Sequence, residues 1–583
     1  MNPTLTRSRK TDEGSSLMLV MILIGTAFLG LASVLAWSTT SARTIGRNNQ
    51  YWRTTAAAEA ATEKVLTRLA RDFQGINGGG AVYAGISGYH SLVPTTSENS
   101  YWSPYVFSDG QGNTSQTYIS SVPGSRTNFT VLNSKYAGLV GFNDTYQIKS
   151  YARESKALFD VSAGVQQNVQ LTTIPAFQFA MFYNVDLEIE PGPDMTVTGR
   201  VNGNQNIYLN PAANLTFQSD VTAGGTLING PVGGDPDHSG IAGGTNVFQG
   251  AHDSKTSQFT LPISSGSDPA TVYEILKMPP LGGETDPALS SQRYYNKADI
   301  IVRVTDAGVV ATSGTLNLSS LPVATSSFLT VSTNKFYNGR EGKTVNSIDL
   351  DVSKFKTWAD SSTGGAANLW TLYGREPSLI YVIDQRTVVP SGTEPGVRLI
   401  NGSLLPNAGL TVATPDPLYV QGDFNIKDSS GASSGSDTAH TKPASLIADA
   451  ISVLSNGWND AANKDNGKGN NHNAKDTTIN AAFLAGIVQT DSSSYSGGVE
   501  NFPRFLEDWS ANTFTYNGSM VVMFYSQIAK GKWDNTTAYY NPPTRKWAFD
   551  NNFMNPLKQP PGTPSFRYLN RGDWLTLGRD PAG

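Results

Sequence analysis

The chain holds 583 residues, with 57 glycines, no cysteine, only 15% charged side chains and a formal net charge of −5. Without cysteine there is no disulfide scaffold, zinc–thiolate site or thiol nucleophile, and so thin a negative charge does not suit a dedicated nucleic-acid binder. The length allows roughly three to five folding units, and the richness in Gly, Ser, Thr, Asn and Tyr points to a mainly β protein working outside the cytoplasm.

Residues 17–37 (LMLVMILIGTAFLGLASVLAW) form an uncharged run of 21 residues. As a helix this run reaches about 30 Å, one hydrocarbon thickness. Its apolar members Leu17, Leu19, Val20, Ile22, Leu23, Ile24, Phe28, Leu29, Leu31, Val34, Leu35 and Trp37 are the expected membrane anchor. A secretory signal peptide is the competing reading, with Arg7, Arg9 and Lys10 as its basic region and Val34-Leu35-Ala36 as its cleavage site. The run is longer than the about 7–15 residues of such a segment, which favours a retained anchor.

No proline occurs between Pro3 and Pro94, and residues 54–73 are rich in strong helix formers. Ala57, Ala58, Ala61, Val65, Leu66, Leu69 and Phe73 recur at helical spacing. A long helix is therefore expected over residues 15–75, with a break at Gly46-Arg47-Asn48-Asn49 and an end at Asn77-Gly78-Gly79-Gly80. Arg7, Arg9 and Lys10 before the span balance Arg43, Arg47 and Arg53 after it. The charge rule thus decides little, and long domains cross largely regardless of it. A short cytoplasmic N-terminus with the rest outside is the preferred arrangement.

A basic leader ending in Gly14, the small residues Ser15-Ser16, an immediate hydrophobic helix and an AAAEAA run at 56–61 resemble class III type IV prepilins. The segment is similar to the PilX-type minor pilins in particular. The resemblance implies cleavage by prepilin peptidase between Gly14 and Ser15. It also implies a single-pass inner-membrane location with a periplasmic or extracellular ectodomain, and a place at a pilus tip. Other minor pilins and the pilus assembly platform are the implied partners, with inner-membrane lipid around the helix. The fifth residue after the cleavage point is Leu19, where most pilins carry a glutamate that neutralises a neighbouring subunit's N-terminal amine. That departure fits a tip or priming subunit better than an abundant filament subunit.

Strand-like runs at 128–133, 145–152 and 158–171 place a pilin-like α+β head at 81–175. From Phe177 onward, apolar triplets and quartets separated by Gly and Asn recur every six to ten residues or so, as in 185–189, 195–197, 207–209, 215–217 and 221–227. Such short strands suit a right-handed parallel β-helix; a β-sandwich is the alternative. No fixed-length repeat stands out. The expected division is leader 1–14, helix 15–75, head 81–175, first β-helix part 177–234, inserted subdomain 235–375, second part 376–535, and C-terminal cap and tail 536–583. Within the insertion, 298–304 reads as a strand and 352–360 as a helix.

Parallel β-helices can carry lyase and glycosidase sites, which need converging carboxylates. Glu188, Glu190 and Asp194, the pair Asp384 and Arg386, and Asp416 with Asp423 are the candidates, and none is spaced as a cluster. His90, His238, His252, His440 and His472 show no metal-ligand spacing. The oxygen-rich run 459–476 fails the calcium-loop pattern, since Gly467 would put Ala462 at the first position. A G-x-S-x-G match at 431–435 lies in a polar loop with no helix after it. Trp509, Tyr516, Phe524, Tyr525, Trp533, Tyr539, Tyr540 and Trp547 crowd the last 75 residues. They are expected to cap the end of the β-helix, and a binding face for a surface glycan is the alternative. The sequence thus gives a non-enzymatic protein with no cofactor, no metal and no nucleic-acid partner. Its expected role is as a minor pilin or pseudopilin-like component of a type IV pilus or secretion pseudopilus, with a membrane-anchored adhesin as the alternative.

Overall fold

The N-terminal helix runs unbroken from Glu13 to Gln74, 62 residues, which is about 93 Å of helix. The computed structural model describes residues 13–75, 78–125, 129–131, 138–263, 268–314, 316–318, 328–361, 367–463, 472–533 and 539–582. Arg7, Arg9, Lys10 and Asn77 lie outside them. The break expected at Gly46 does not occur. The Gly46 face lies against the Phe159 ring, which an added Cβ would approach to 3.2 Å. One turn on, Gln50 Nε2 donates to the Phe159 carbonyl at 2.7 Å. The glycine serves close approach of the head, and its helix-propensity cost of about 1 kcal/mol is absorbed in a helix otherwise built of good formers.

The second half of this helix buries one face. Ala57, Ala58 and Ala61 pack with Phe107, Ala152 and Val165. Further along, Val65, Leu66, Leu69 and Phe73 pack with Tyr146, Ile148, Val169 and Leu171. The sheet beneath is antiparallel, in the order Tyr105–Ser108, Val140–Glu154, Ser162–Pro175 and Ser565–Leu577. Tyr118–Ser121 and Phe129–Val131 also pair with Val140–Glu154. Its last strand is the C-terminal one. Part of the segment expected to be a cap and tail is therefore the edge of the head. Arg567 fixes that edge to the helix, its Nη1 donating to the Phe73 carbonyl at 2.7 Å, where the helix end leaves carbonyls unsatisfied.

Past Pro175 the chain is mostly short strands stacked in parallel. Met181 pairs with Val201 and Val201 with Val221. On a second face Leu187, Ile207 and Leu227 align, and on a third Met195 and Leu215. Side chains at equivalent places in successive rungs lock this register across 20 residues of sequence. Asp186 Oδ1 accepts from Asn206 N and Asn206 Oδ1 from Thr226 N, each at 3.0 Å and each 20 residues apart. Asn204 Nδ2 likewise donates to Asn184 Oδ1, 20 residues back, at 2.8 Å. A fixed repeat is thus present in these first rungs.

The later strands extend the same ladder from its other side. In stacking order it runs His252–Asp253, Val221–Ala223, Val201–Gly203, Met181–Tyr183, Thr513–Val522, Thr477–Ala485, Ala444–Ala448, Leu410–Ala413, Leu379–Asp384 and Ile300–Thr305. The pairings along that path are parallel. The chain starts mid-stack, winds to one end, returns along the outside over 254–263 and 268–299, and winds back from the far end. One apolar core containing Leu187, Ile207, Ile300, Val302, Leu446, Phe483 and Val522 joins both sets of rungs.

Two expectations are corrected by this path. Ile300–Thr305, expected within an inserted subdomain, is a rung of the main ladder. The return segment packs Phe259, Leu261, Tyr273 and Leu276 onto the outer face of that ladder, against Phe182, Tyr381 and Leu484, together with Phe566 of the head. The C-terminal aromatics do not cap an open end. Trp509, Tyr516 and Phe524 are fully or nearly buried, and the strand that follows Trp509 is covered by Met181–Tyr183 over Met520–Val522 and by Thr544–Phe549, which carries Trp547, over Thr513–Gly518.

Candidate functional site

Two features stand out for function. The first is the uncovered half of the N-terminal helix. It is the one helix among the described residues long and apolar enough to cross a membrane, and none of its apolar window is buried. Each anchor residue from Leu17 to Trp37 named above is exposed, Leu19 at 61% and Trp37 at 72%. A face-wide apolar cylinder of this kind is soluble only in lipid or against other helices. Its few hydroxyls turn back onto the helix: Thr26 Oγ1 donates to Leu23 O at 2.9 Å and Ser33 Oγ to Leu29 O at 2.8 Å. They therefore carry no unsatisfied donor into an apolar medium. Gly14 and Ser15 lie in the first turn of this helix.

The second feature is a cluster of buried carboxylates around His238. Leu187 and Ile189 point into the core, so Glu188 between them points outward. The segment after Ile487 covers it: Thr490 Oγ1 donates to both Glu188 oxygens at 2.8 Å, and Ser496 Oγ to one at 3.3 Å. Burial pushes Glu188 up to about 8, and the nearby Glu190 and Asp235 charges add to the effect. Glu190 follows on the same outward side. Its backbone N–H donates to Glu500 Oε1 at 3.1 Å, and burial raises Glu500 to about 7.

Asp235 and His238 come from the loop after the Leu227–Asn229 strand. His238 Nδ1 is 2.9 Å from Asp235 Oδ2 and 2.8 Å from Glu190 Oε2. The imidazole meets the Tyr495 ring edge-on at 4.9 Å, and the Tyr495 hydroxyl lies alongside Glu190. The bond to Glu190, reinforced by Asp235, raises His238 to about 9 despite its partial burial. Sequence spacing concealed this site because Glu190 stands on a different rung from Asp235 and His238. The only local sign was the i, i+3 pair Asp235 and His238.

Among the other candidate groups Asp384, Arg386 and Asp416 meet, with their side chains buried. Arg386 forks onto Asp384 through Nε at 2.9 Å and Nη2 at 2.6 Å, and Asp416 Oδ2 accepts from Asp384 N at 2.8 Å. Asp423 accepts from Thr478 N at 2.8 Å and Asp194 from Asn214 N at 2.9 Å. These carboxylates tie neighbouring rungs together. His90 faces the Thr117 carbonyl at 2.9 Å, and His252 stacks on Phe248 at 4.4 Å. In the loop holding the G-x-S-x-G match, His440 Nδ1 faces both Asp428 at 3.1 Å and Ser430 at 3.3 Å. One ring nitrogen serves both partners, so the ring cannot relay a proton between them as a triad requires. The run 459–476 is described only to 463 and from 472.

A surface cleft of about 490 Å³ adjoins the cluster, lined by Pro193, Asp194, Glu500, Pro542, Arg545 and Trp547 among others. Arg545 lies over the Trp547 ring at 5.7 Å. No family model, no curated protein and no solved structure matches the chain.

Proposed function

We propose that the chain is a non-enzymatic minor-pilin- or pseudopilin-like subunit. In this reading prepilin peptidase removes residues 1–14, the helix from Ser15 anchors the protein in the inner membrane, and the β body projects outward. One observation carries the reading: a single helix leaves its first half wholly uncovered and packs its second half on an antiparallel sheet. The uncovered half meets lipid first and other subunits' helices later, with the assembly platform as its docking partner. Leu19 leaves no carboxylate to neutralise a neighbour's amine, and a buried unpaired amine is costly. A subunit at the tip or one that primes assembly avoids that cost. The body is also bulky for repeated incorporation along a filament.

We also infer that the stacked rungs form a right-handed parallel β-helix. Three ladders stepping together by 20 residues support this.

The mature N-terminus, determined by mass spectrometry on membrane fractions, tests the function. A start at Ser15 is expected. A start at Met1 makes the chain a plain anchored adhesin, and a start at Trp37 makes it a secreted protein. The adhesin reading has its own support in the cleft beside Glu500. The Trp547 ring with Arg545 over it, and Asp194 in the lining, offers the aromatic and polar groups that a glycan uses.

A further inference from the structure

Glu190 is in an unusual position for a carboxylate. Its side chain is wholly buried; the Tyr495 hydroxyl and the His238 ring lie against it, yet among the described residues neither of its oxygens accepts a well-aligned hydrogen bond. A buried carboxylate without such bonds is strongly disfavoured unless a cation compensates it. The cation present is the His238 imidazolium, whose Nδ1 lies 2.8 Å from Glu190 Oε2 and 2.9 Å from Asp235 Oδ2 and has one proton for the two. Two carboxylates thus share one positive charge, with Glu188 and Glu500 close behind them.

We propose that Glu190, Asp235 and His238 form a binding site for one divalent transition-metal ion of the zinc or manganese class. One donor atom from each residue lies within 4.8 Å of the other two. Ligands about 2.0–2.2 Å from a shared ion stand about 3.3 Å apart at a tetrahedral angle. The observed gaps of 2.8 and 2.9 Å therefore open by about half an ångström on binding. The mixed donor set decides the class of ion. Calcium and magnesium take oxygen ligands, whereas an imidazole beside carboxylates suits zinc and its neighbours. His238 is the entry side, because its side chain is 32% exposed while those of both carboxylates are buried.

Binding balances as an exchange. The imidazolium releases its Nδ1 proton to solvent, the freed lone pair and two carboxylate oxygens coordinate the ion, and the three groups go from a net charge of −1 to zero with the metal. The ion would join the end of the Leu187–Ile189 strand to the loop after Leu227–Asn229. Through the Glu190 N–H bond to Glu500 it would also brace the segment preceding Pro503–Phe505. It would therefore clamp the place where the early and late rungs meet. This role is independent of the membrane anchor.

The full chain, purified in detergent and stripped with a chelator, is titrated with Zn²⁺, Mn²⁺ and Ca²⁺ by calorimetry, with thermal unfolding read in parallel. One equivalent of Zn²⁺ or Mn²⁺ should bind, release about one proton near pH 7 and raise the unfolding temperature, as any ligand specific to the native state does. His238→Ala and Asp235→Asn should each weaken binding at least about 100-fold, since even outer-shell partners are worth 10–100-fold. His238 is partly exposed, so its alanine variant keeps the test open should Asp235→Asn fail to fold. No stoichiometric binding overturns the proposal, as does binding that survives His238→Ala or a preference for Ca²⁺.

Discussion

Met181 and Met520 stand in register in one parallel ladder. The backbone N–H of Met520 bonds to the Ala180 carbonyl at 2.9 Å, and that of Asn184 to the Val522 carbonyl at 2.7 Å. The first rung the chain makes is therefore laid on nearly the last. Until the late rungs arrive, the Met181–Tyr183 strand presents an unpaired edge, a hazard for association with other chains. Pairing across so long a stretch of sequence also makes folding slow.

Phe182 is where this junction is most exposed to damage by substitution. It is paired with Val521 and its ring meets Phe566 of the head at 4.4 Å and Phe259 of the return segment at 6.3 Å. Phe182→Ala should cost about 3–5 kcal/mol. Urea unfolding should show the head edge and the rungs losing stability together. A loss confined to one of them would mean that the two are not coupled through this ring.

The C-terminal strand predicts a contrast between two arginines. Arg567 is half-buried and caps the helix end through the Phe73 and Gly75 carbonyls. Arg571 pairs with Glu63 at 2.7 Å, but its side chain is 58% exposed. Arg567→Ala should destabilise the head by about 1–3 kcal/mol, the cost of leaving buried acceptors unmet. Arg571→Ala should cost no more than about 1 kcal/mol, and less in high salt. Hydrogen exchange along residues 65–74 reads the difference, and equal protection in both variants would contradict it.

What the sequence revealed followed from local physics. The uncovered apolar half of the helix was legible because 17–37 carries no charge, and the packed face because Ala57, Ala61, Val65, Leu69 and Phe73 recur at helical spacing. The 20-residue step was present in Leu187, Ile207 and Leu227 and in Asp186, Asn206 and Thr226, but residue identity changes from rung to rung. Only a side-chain acceptor for the backbone N–H one rung on is retained, at Asp186 and Asn206. The chain path was not legible at all. Nothing local to Ser565–Leu577 says that it pairs with Ser162–Pro175, and nothing near Glu190 says that His238 is its neighbour. Such pairings are set by how rungs stack, not by spacing.

Glu394 predicts a pH dependence. It is 2% exposed. Its Oε1 accepts from Asn338 Nδ2 and the Tyr419 hydroxyl, both at 2.9 Å, while Glu341 and Lys343 lie near with opposite charges. Burial first, and then the Glu341 charge, raise it to about 7 from the ordinary 4.5. Between those values the native state holds a proton that the unfolded chain has released. Stability from this group is therefore full at low pH, falls as pH rises from about 4.5 to about 7, and is flat above. The loss amounts to up to about 3 kcal/mol at about 1.4 kcal/mol per pKa step. Glu394→Gln should remove that part of the fall between pH 5 and 8 in urea midpoints. An unchanged slope in the variant would place the titration elsewhere, for instance at the buried Asp416, which burial also raises to about 7.

The uncovered apolar run makes the last prediction. Leu23 and Phe28 sit in the middle of the uncovered run, 59% and 66% exposed, with no protein partner to shelter a charge. An arginine or lysine at the centre of a membrane helix costs about 2.5–3.5 kcal/mol in insertion. Leu23→Arg together with Phe28→Lys should shift much of the protein from the carbonate-resistant membrane fraction to the soluble one, and the same pair at Ile45 and Trp52 should not. Those two side chains are also exposed, at 59% and 64%, but they lie beyond Arg43, outside the uncharged span. Retention of the double variant in the membrane would mean that something other than the 17–37 helix holds the chain there. Release of the Ile45 and Trp52 variant would mean that the membrane contact reaches about two to four turns further toward the head than the 17–37 run.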